Sequence, residues 1–122
     1  MQRKRACGAS GLRAGWRESE ETMPAILLRL HPPRASFPAD ASPAEQRAME
    51  AHAAWWQDRA DEGRAVAAGP VIDPAAIWGL AIVHAEDTAD ALTLVRDDPV
   101  IVADLGFRYD ALPMGELILP QR

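Results

Sequence analysis

The chain has 122 residues, a length that suits one domain and hardly two. It is 48% apolar and 25% charged, the profile of a soluble globular protein, and no apolar run approaches a membrane span. The net charge of −5 is uneven: residues 1–22 hold five of the thirteen basic residues, so the rest of the chain is more acidic than the total implies. An acidic body argues against binding a phosphate backbone, so no nucleic acid is expected as a partner. The single cysteine, Cys7, excludes an intrachain disulfide framework and suits a reducing, cytoplasmic setting.

Residues 1–22 contain Gly8, Gly11 and Gly15, many charges and no sustained periodicity, which predicts a disordered N-terminal tail ahead of a domain over residues 23–122. The tail has a basic front but no apolar stretch of the kind a secretory signal needs.

The domain opens with Ala25–His31, an apolar run of strand length ended by Pro32-Pro33. The loop that follows carries Arg34, a candidate for holding a substrate carboxylate or phosphate. Ser42-Pro43-Ala44-Glu45 combines an N-cap, a proline at the first helical position and a capping-box glutamate. The helix should run to about Gly63, with Met49, His52, Ala53, Trp56 and Ala60 on one face and Trp55 at its edge.

Arg64–Val71 reads as a second strand broken at Gly69-Pro70, and Asp73-Pro74 as a turn. Ile77–Ala85 alternates as a third strand, and the short connection favours a hairpin between the two. Glu86-Asp87-Thr88 starts a second helix that Asp97-Asp98-Pro99 closes, with a further helical turn after Pro99. Phe107–Met114 alternates as a fourth strand, with Phe107, Tyr109 and Ala111 on one face; Glu116–Leu119 suggests a short fifth.

The order β-α-β-β-α-β predicts an α+β, ferredoxin-like unit with two helices on one face of an antiparallel sheet. The other face would stay apolar and open, so a homodimer through that face is expected.

Several features recur together in this chain: a helical His52, then Gly63 and Gly69-Pro70, then Trp78-Gly79, then Glu86-Asp87 before an Ala-rich helix, then Asp98-Pro99. Leu30-His31-Pro32-Pro33-Arg34 and Gly106-Phe107-Arg108-Tyr109 through Leu112-Pro113-Met114 accompany them. The ordered set resembles the YciI-like, or YCII-related, domain family over about residues 23–115. The resemblance implies a dimeric α+β barrel of two ferredoxin-like sheets packed face to face. It also implies a histidine–aspartate pair in a cleft, His52 and Asp98 by motif. A few relatives are enzymes, such as a chlorinated-hydroquinone dehydrochlorinase, and most have no assigned activity.

Chemically, His52 suits a general base or acid, and Asp98 would fix its tautomer. Arg34 would bind an anionic group, Trp55 and Trp78 would wall a ring, and Asp73 would add a polar contact. His31 and His84 show no metal spacing with His52, and no glycine-rich phosphate loop is present, so neither a metal nor a cofactor is expected. Two readings stay open. One is an enzyme using the His52–Asp98 dyad on a small aromatic or oxo-acid substrate. The other is a non-catalytic dimeric module that binds a small ligand or a partner protein.

Overall fold

The computed structural model describes residues 23–121, so the expected N-terminal tail over residues 1–22 lies outside the described residues. Four strands, β1 (Ala25–His31), β2 (Ala65–Val71), β3 (Trp78–His84) and β4 (Arg108–Pro113), form one antiparallel sheet in the order β2-β3-β1-β4. Helix α1 (Pro43–Asp61) joins β1 to β2. Helix α2 (Thr88–Leu94), a 3-10 turn over Val95–Asp97 and the single-turn α3 (Pro99–Val102) join β3 to β4. The expected fifth strand at 116–119 does not form; that segment has no regular structure, and Ile118 is almost fully exposed.

Helix α1 begins where the capping chemistry places it. The Ser42 hydroxyl accepts from Glu45 N–H at 3.1 Å, and the Glu45 carboxylate accepts from Ser42 N–H at 2.9 Å. It ends on Gly63, whose φ of 82° is open to glycine at little cost. There Gly63 N–H donates to Ala60 and Arg64 N–H to Arg59, closing the last carbonyls in a Schellman arrangement.

The expected break at Gly69-Pro70 is not found. Strand β2 runs through both residues, with Gly69 opposite Leu80 and Pro70 opposite Gly79. A proline is tolerated because β2 is an edge strand, and its missing N–H costs no interior ladder bond.

Alternation sets the two sheet faces. Ile26, Leu28 and Leu30 of β1 point to the helices and are buried, as are Ala81 and Val83 of β3. Ile26, Leu28 and Val83 meet Trp56 of α1 with Ala91 and Val95, while Leu30 joins Phe37, Ala48, Val100 and Phe107 in a second cluster. Fully burying a side chain such as Leu28 stabilises by about 1.5–3 kcal/mol, so these clusters fix the helices on the sheet.

The opposite face carries Leu27, Arg29 and His31 of β1, Leu80 and Ile82 of β3, and Asp110 and Leu112 of β4, with no helix over it among the described residues. On it Arg29 donates to Asp110 at 3.2 and 3.3 Å, and His31 Nε2 lies 2.7 Å from the same carboxylate. The hydrogen bonds from Arg29 and then His31 hold Asp110 below the usual carboxylate range.

Candidate functional site

The sheet is floored with small residues where α1 crosses it. Ala68, Gly79 and Ala81 of the sheet and Ala53 and Ala60 of the helix line the same pocket. A Cβ on Gly79 would sit a tight 3.2 Å from the Leu30 Cβ in the neighbouring strand, so a larger residue fits there only if Leu30 gives way by a few tenths of an ångström. The result is an open pocket of about 370 Å³. The helix face expected to be core therefore divides. Trp56 is buried in the core and also reaches the pocket, whereas Ala53 and Ala60 are exposed and line it.

Aromatic and apolar side chains make up most of the rest of the lining. Phe37 and Phe107 pack edge to face, with centroids 5.1 Å apart. Ile77, Trp78 and Pro70 line it as well. His52 and Tyr109 are the titratable groups among the lining residues.

His52 and Asp98 meet. His52 Nδ1 lies 2.9 Å from both oxygens of the Asp98 carboxylate, which is 0% exposed, while the His52 side chain keeps 15% of its surface. Asp98 is positioned by the turn that Pro99 imposes: its side chain caps α3 by accepting from Val100 N–H at 3.1 Å. The Tyr109 hydroxyl donates to the other carboxylate oxygen, and Trp56 Nε1–H donates to the Tyr109 oxygen at 3.1 Å. The buried carboxylate is thus surrounded by donors on every side that the structure occupies.

With Nδ1–H directed at Asp98, neutral His52 presents Nε2 as an acceptor, and Nε2 has no hydrogen-bond partner among the described residues. Burial, then the Asp98 charge and the hydrogen bond to it, push the Tyr109 hydroxyl well above its ordinary value. Tyr109 therefore stays a neutral donor.

The other four candidate residues separate. Trp78 lines the pocket. Asp73 does not line it; its carboxylate accepts from Ala75 N–H at 2.9 Å and from Trp78 Nε1–H at 3.2 Å, so it anchors the wall and closes the turn. Those two bonds, the Ala75 amide first, lower the Asp73 carboxyl. Trp55 does not line the pocket; it packs edge to face on Trp56 at 4.9 Å and beneath the Arg59 guanidinium at 4.7 Å.

Arg34 also lies outside the pocket. It donates Nη1 and Nη2 to Glu45 at 2.8 and 2.7 Å and Nε to both oxygens of Asp40 at 3.0 Å. Glu45 is drawn down to about 2, mainly by Arg34 and next by Ser42 N–H, and Asp40 is lowered by Arg34 and Ser36. The arginine is consumed in tying the loop to the start of α1, which holds Phe37 in the pocket lining. A buried acid inside the helix it precedes is the reason; the sequence offers Glu45 as a capping-box residue and hides its second partner.

Tyr109, Trp56 and Phe37 are absent from the candidate site residues that the sequence offers. Strand alternation places Tyr109 and Ala111 on one face, but nothing local says that β4 lies beside β1 and brings Tyr109 to Asp98. Among the described residues no three His, Cys, Asp or Glu side chains form a metal-holding group, and no helix is long and apolar enough to cross a membrane.

The family model described as YCII-related domain matches residues 20–115, most of the chain. This chain belongs to the YCII-related domain family. The match takes in every element of the fold and both members of the His52–Asp98 pair. No curated protein matches the chain, so the YCII-related assignment carries no substrate with it.

Proposed function

We propose that this YCII-related protein is a small-molecule enzyme in which His52, oriented by Asp98, moves a proton by acid/base chemistry on an aromatic or oxo-acid substrate. The observation that supports this most is the division of labour on one imidazole. Nδ1 is committed to a buried carboxylate, while Nε2 is unpartnered on a ring that lines the pocket. An isomerisation, in which one group removes a proton and returns it at another atom, or an elimination, in which that group takes the proton as the leaving group departs with the bonding pair and then releases it to water, needs no second titrating side chain.

The β-α-β-β-α-β order and the 2-3-1-4 sheet suit a ferredoxin-like unit, with the uncovered face of Leu27, Ile82 and Leu112 paired with that of a second copy in a dimeric barrel. A stable monomer in sedimentation at micromolar concentration would sink that pairing. A cytoplasmic setting belongs to the same reading.

One observation favours a second reading, a non-catalytic dimeric module for a small ligand or protein partner. Tyr109, the other titratable group of the pocket, is held neutral and has its proton committed to Asp98. Turnover separates the two. The protein is incubated with a panel of phenols and oxo-acids and products are followed by mass spectrometry, alongside His52→Gln and Asp98→Asn. Conversion lost in both variants supports the enzyme; binding without conversion across the panel supports the module.

A further inference from the structure

We propose that Tyr109 is a positioning residue for the His52 proton: acting through Asp98, it sets how tightly the imidazole holds that proton. The inference rests on the reading of His52 as the group that moves a proton, and names the residue that tunes it. The Asp98 side chain is 0% exposed, so its protein donors decide how much of its charge is left for His52. Val100 N–H donates to one oxygen at 3.1 Å, the Tyr109 hydroxyl donates to the other, and His52 Nδ1 lies 2.9 Å from both. The Val100 amide is a backbone cap of fixed strength, whereas the tyrosine is a donor whose strength its surroundings set. Trp56 Nε1–H donates to the Tyr109 oxygen at 3.1 Å, and a hydroxyl that accepts one hydrogen bond donates the next more strongly.

The sign follows from charge. Protonating His52 places a cation against Asp98, and the carboxylate holds that cation better the less its charge is drawn elsewhere. Tyr109 draws it, so the imidazolium releases its proton more readily than it would beside Asp98 alone. The phenol does not take up the charge itself, since burial, then the Asp98 charge and the hydrogen bond to it, keep it neutral. Among the described residues no other ionisable side chain is hydrogen-bonded to His52 or Asp98. One turn away on α1, His52 has Ala48, Met49, Trp55 and Trp56 as neighbours, and neither β2 nor α3, which pack on α1, carries a charged residue. Arg96 and Asp97, in the turn before Asp98, are exposed. Arg108 and Asp110 of β4 lie on the opposite sheet face, where Asp110 is paired with Arg29 and His31.

Tyr109 is the only tyrosine in the chain, so a fluorinated tyrosine supplied in growth enters at one position. The test follows the pH midpoint of the His52 ring signals by NMR in the full chain, the signals being assigned by their loss in His52→Gln. Three proteins are compared: the wild type, the wild type with 3-fluorotyrosine, whose fluorine makes the hydroxyl a stronger donor, and Tyr109→Phe, which has no donor there. The midpoint is expected to fall with fluorotyrosine and to rise by about half a pH unit or more in Tyr109→Phe. Opposite signs are the signature, because a residue that only packs the core would not answer to the acidity of its hydroxyl. A midpoint that neither change moves, or that both move the same way, overturns the proposal. If Tyr109→Phe does not fold, the fluorotyrosine protein decides alone: a fall supports the proposal, and no change or a rise overturns it. If the midpoint moves as expected and no compound shows His52-dependent conversion, the tuning stands and the acid/base reading falls. If His52-dependent conversion is found while the midpoint stays in place, the acid/base reading stands and the tuning falls.

Discussion

Two clusters on this molecule have the same ingredients and opposite character. At the start of α1, Arg34, Asp40 and Glu45 satisfy one another through paired hydrogen bonds of 2.7–3.0 Å, and every strong donor and acceptor is consumed. At the middle of α1, Asp98 collects His52, Tyr109 and Val100, but one end of the network stays unfinished at His52 Nε2. The first cluster is a clasp between a loop and a helix. The second holds a titratable atom at the wall of a pocket. Charged residues near a cleft are therefore a poor guide to function by themselves; the useful sign is a network that is closed on its buried side and open on its ligand side.

The contrast sharpens under substitution. Asp98→Ala should be the most damaging change, because it strips the partner from His52 Nδ1, the Tyr109 hydroxyl and the α3 amide together. A loss of about 3–5 kcal/mol is expected in urea unfolding, the cost of breaking a buried pair from one side. Tyr109→Phe removes one donor to the carboxylate and leaves the Trp56 indole N–H unpartnered, with an expected loss of about 1.5–3 kcal/mol. Because the His52 contact remains, ligand binding should survive this change while it is lost in the Asp98 variant.

In the clasp, Ser42→Ala should cost about 1 kcal/mol, the usual value of an N-cap, with no effect on ligand affinity. Acid gives the smallest and most specific difference. Glu45 is at about 2 in the folded protein, below its ordinary 4.5, so the folded state takes up that proton less readily than the unfolded chain. The stabilisation is complete above 4.5 and is lost as pH falls through about 2. Glu45→Gln should flatten this part of the stability–pH curve; an unchanged slope would show that the clasp does not contribute there.

Much of the fold is legible in the chain because its punctuation is local. Ser42-Pro43-Ala44-Glu45 announces α1, Gly63 ends it, and period-two alternation marks β1, β3 and β4. The false break at Gly69-Pro70 has the same local origin: a proline ends an interior strand, but edge position, which permits it, is a property of the finished sheet. The site divides along the same line. His52 and Asp98 can be picked by residue type and motif, whereas Tyr109 depends on β4 pairing with β1. Arg34 is easily misplaced because its partner Glu45 already has a visible role in the helix cap. Trp55 and Trp56 are neighbours in sequence, and a rotation of one residue on α1 separates the one in the network from the one outside it.

The central claim is that His52 is held with Nδ1 closed and Nε2 open. Long-range proton–nitrogen correlation NMR of the imidazole, at a pH where the ring is neutral, tests it directly. The proton is expected on Nδ1, with Nε2 bare, in the wild-type protein, and this preference should weaken in Asp98→Asn. A neutral His52 carrying its proton on Nε2 in the wild type would contradict the account, since the atom assigned to receive a ligand's proton would already be occupied.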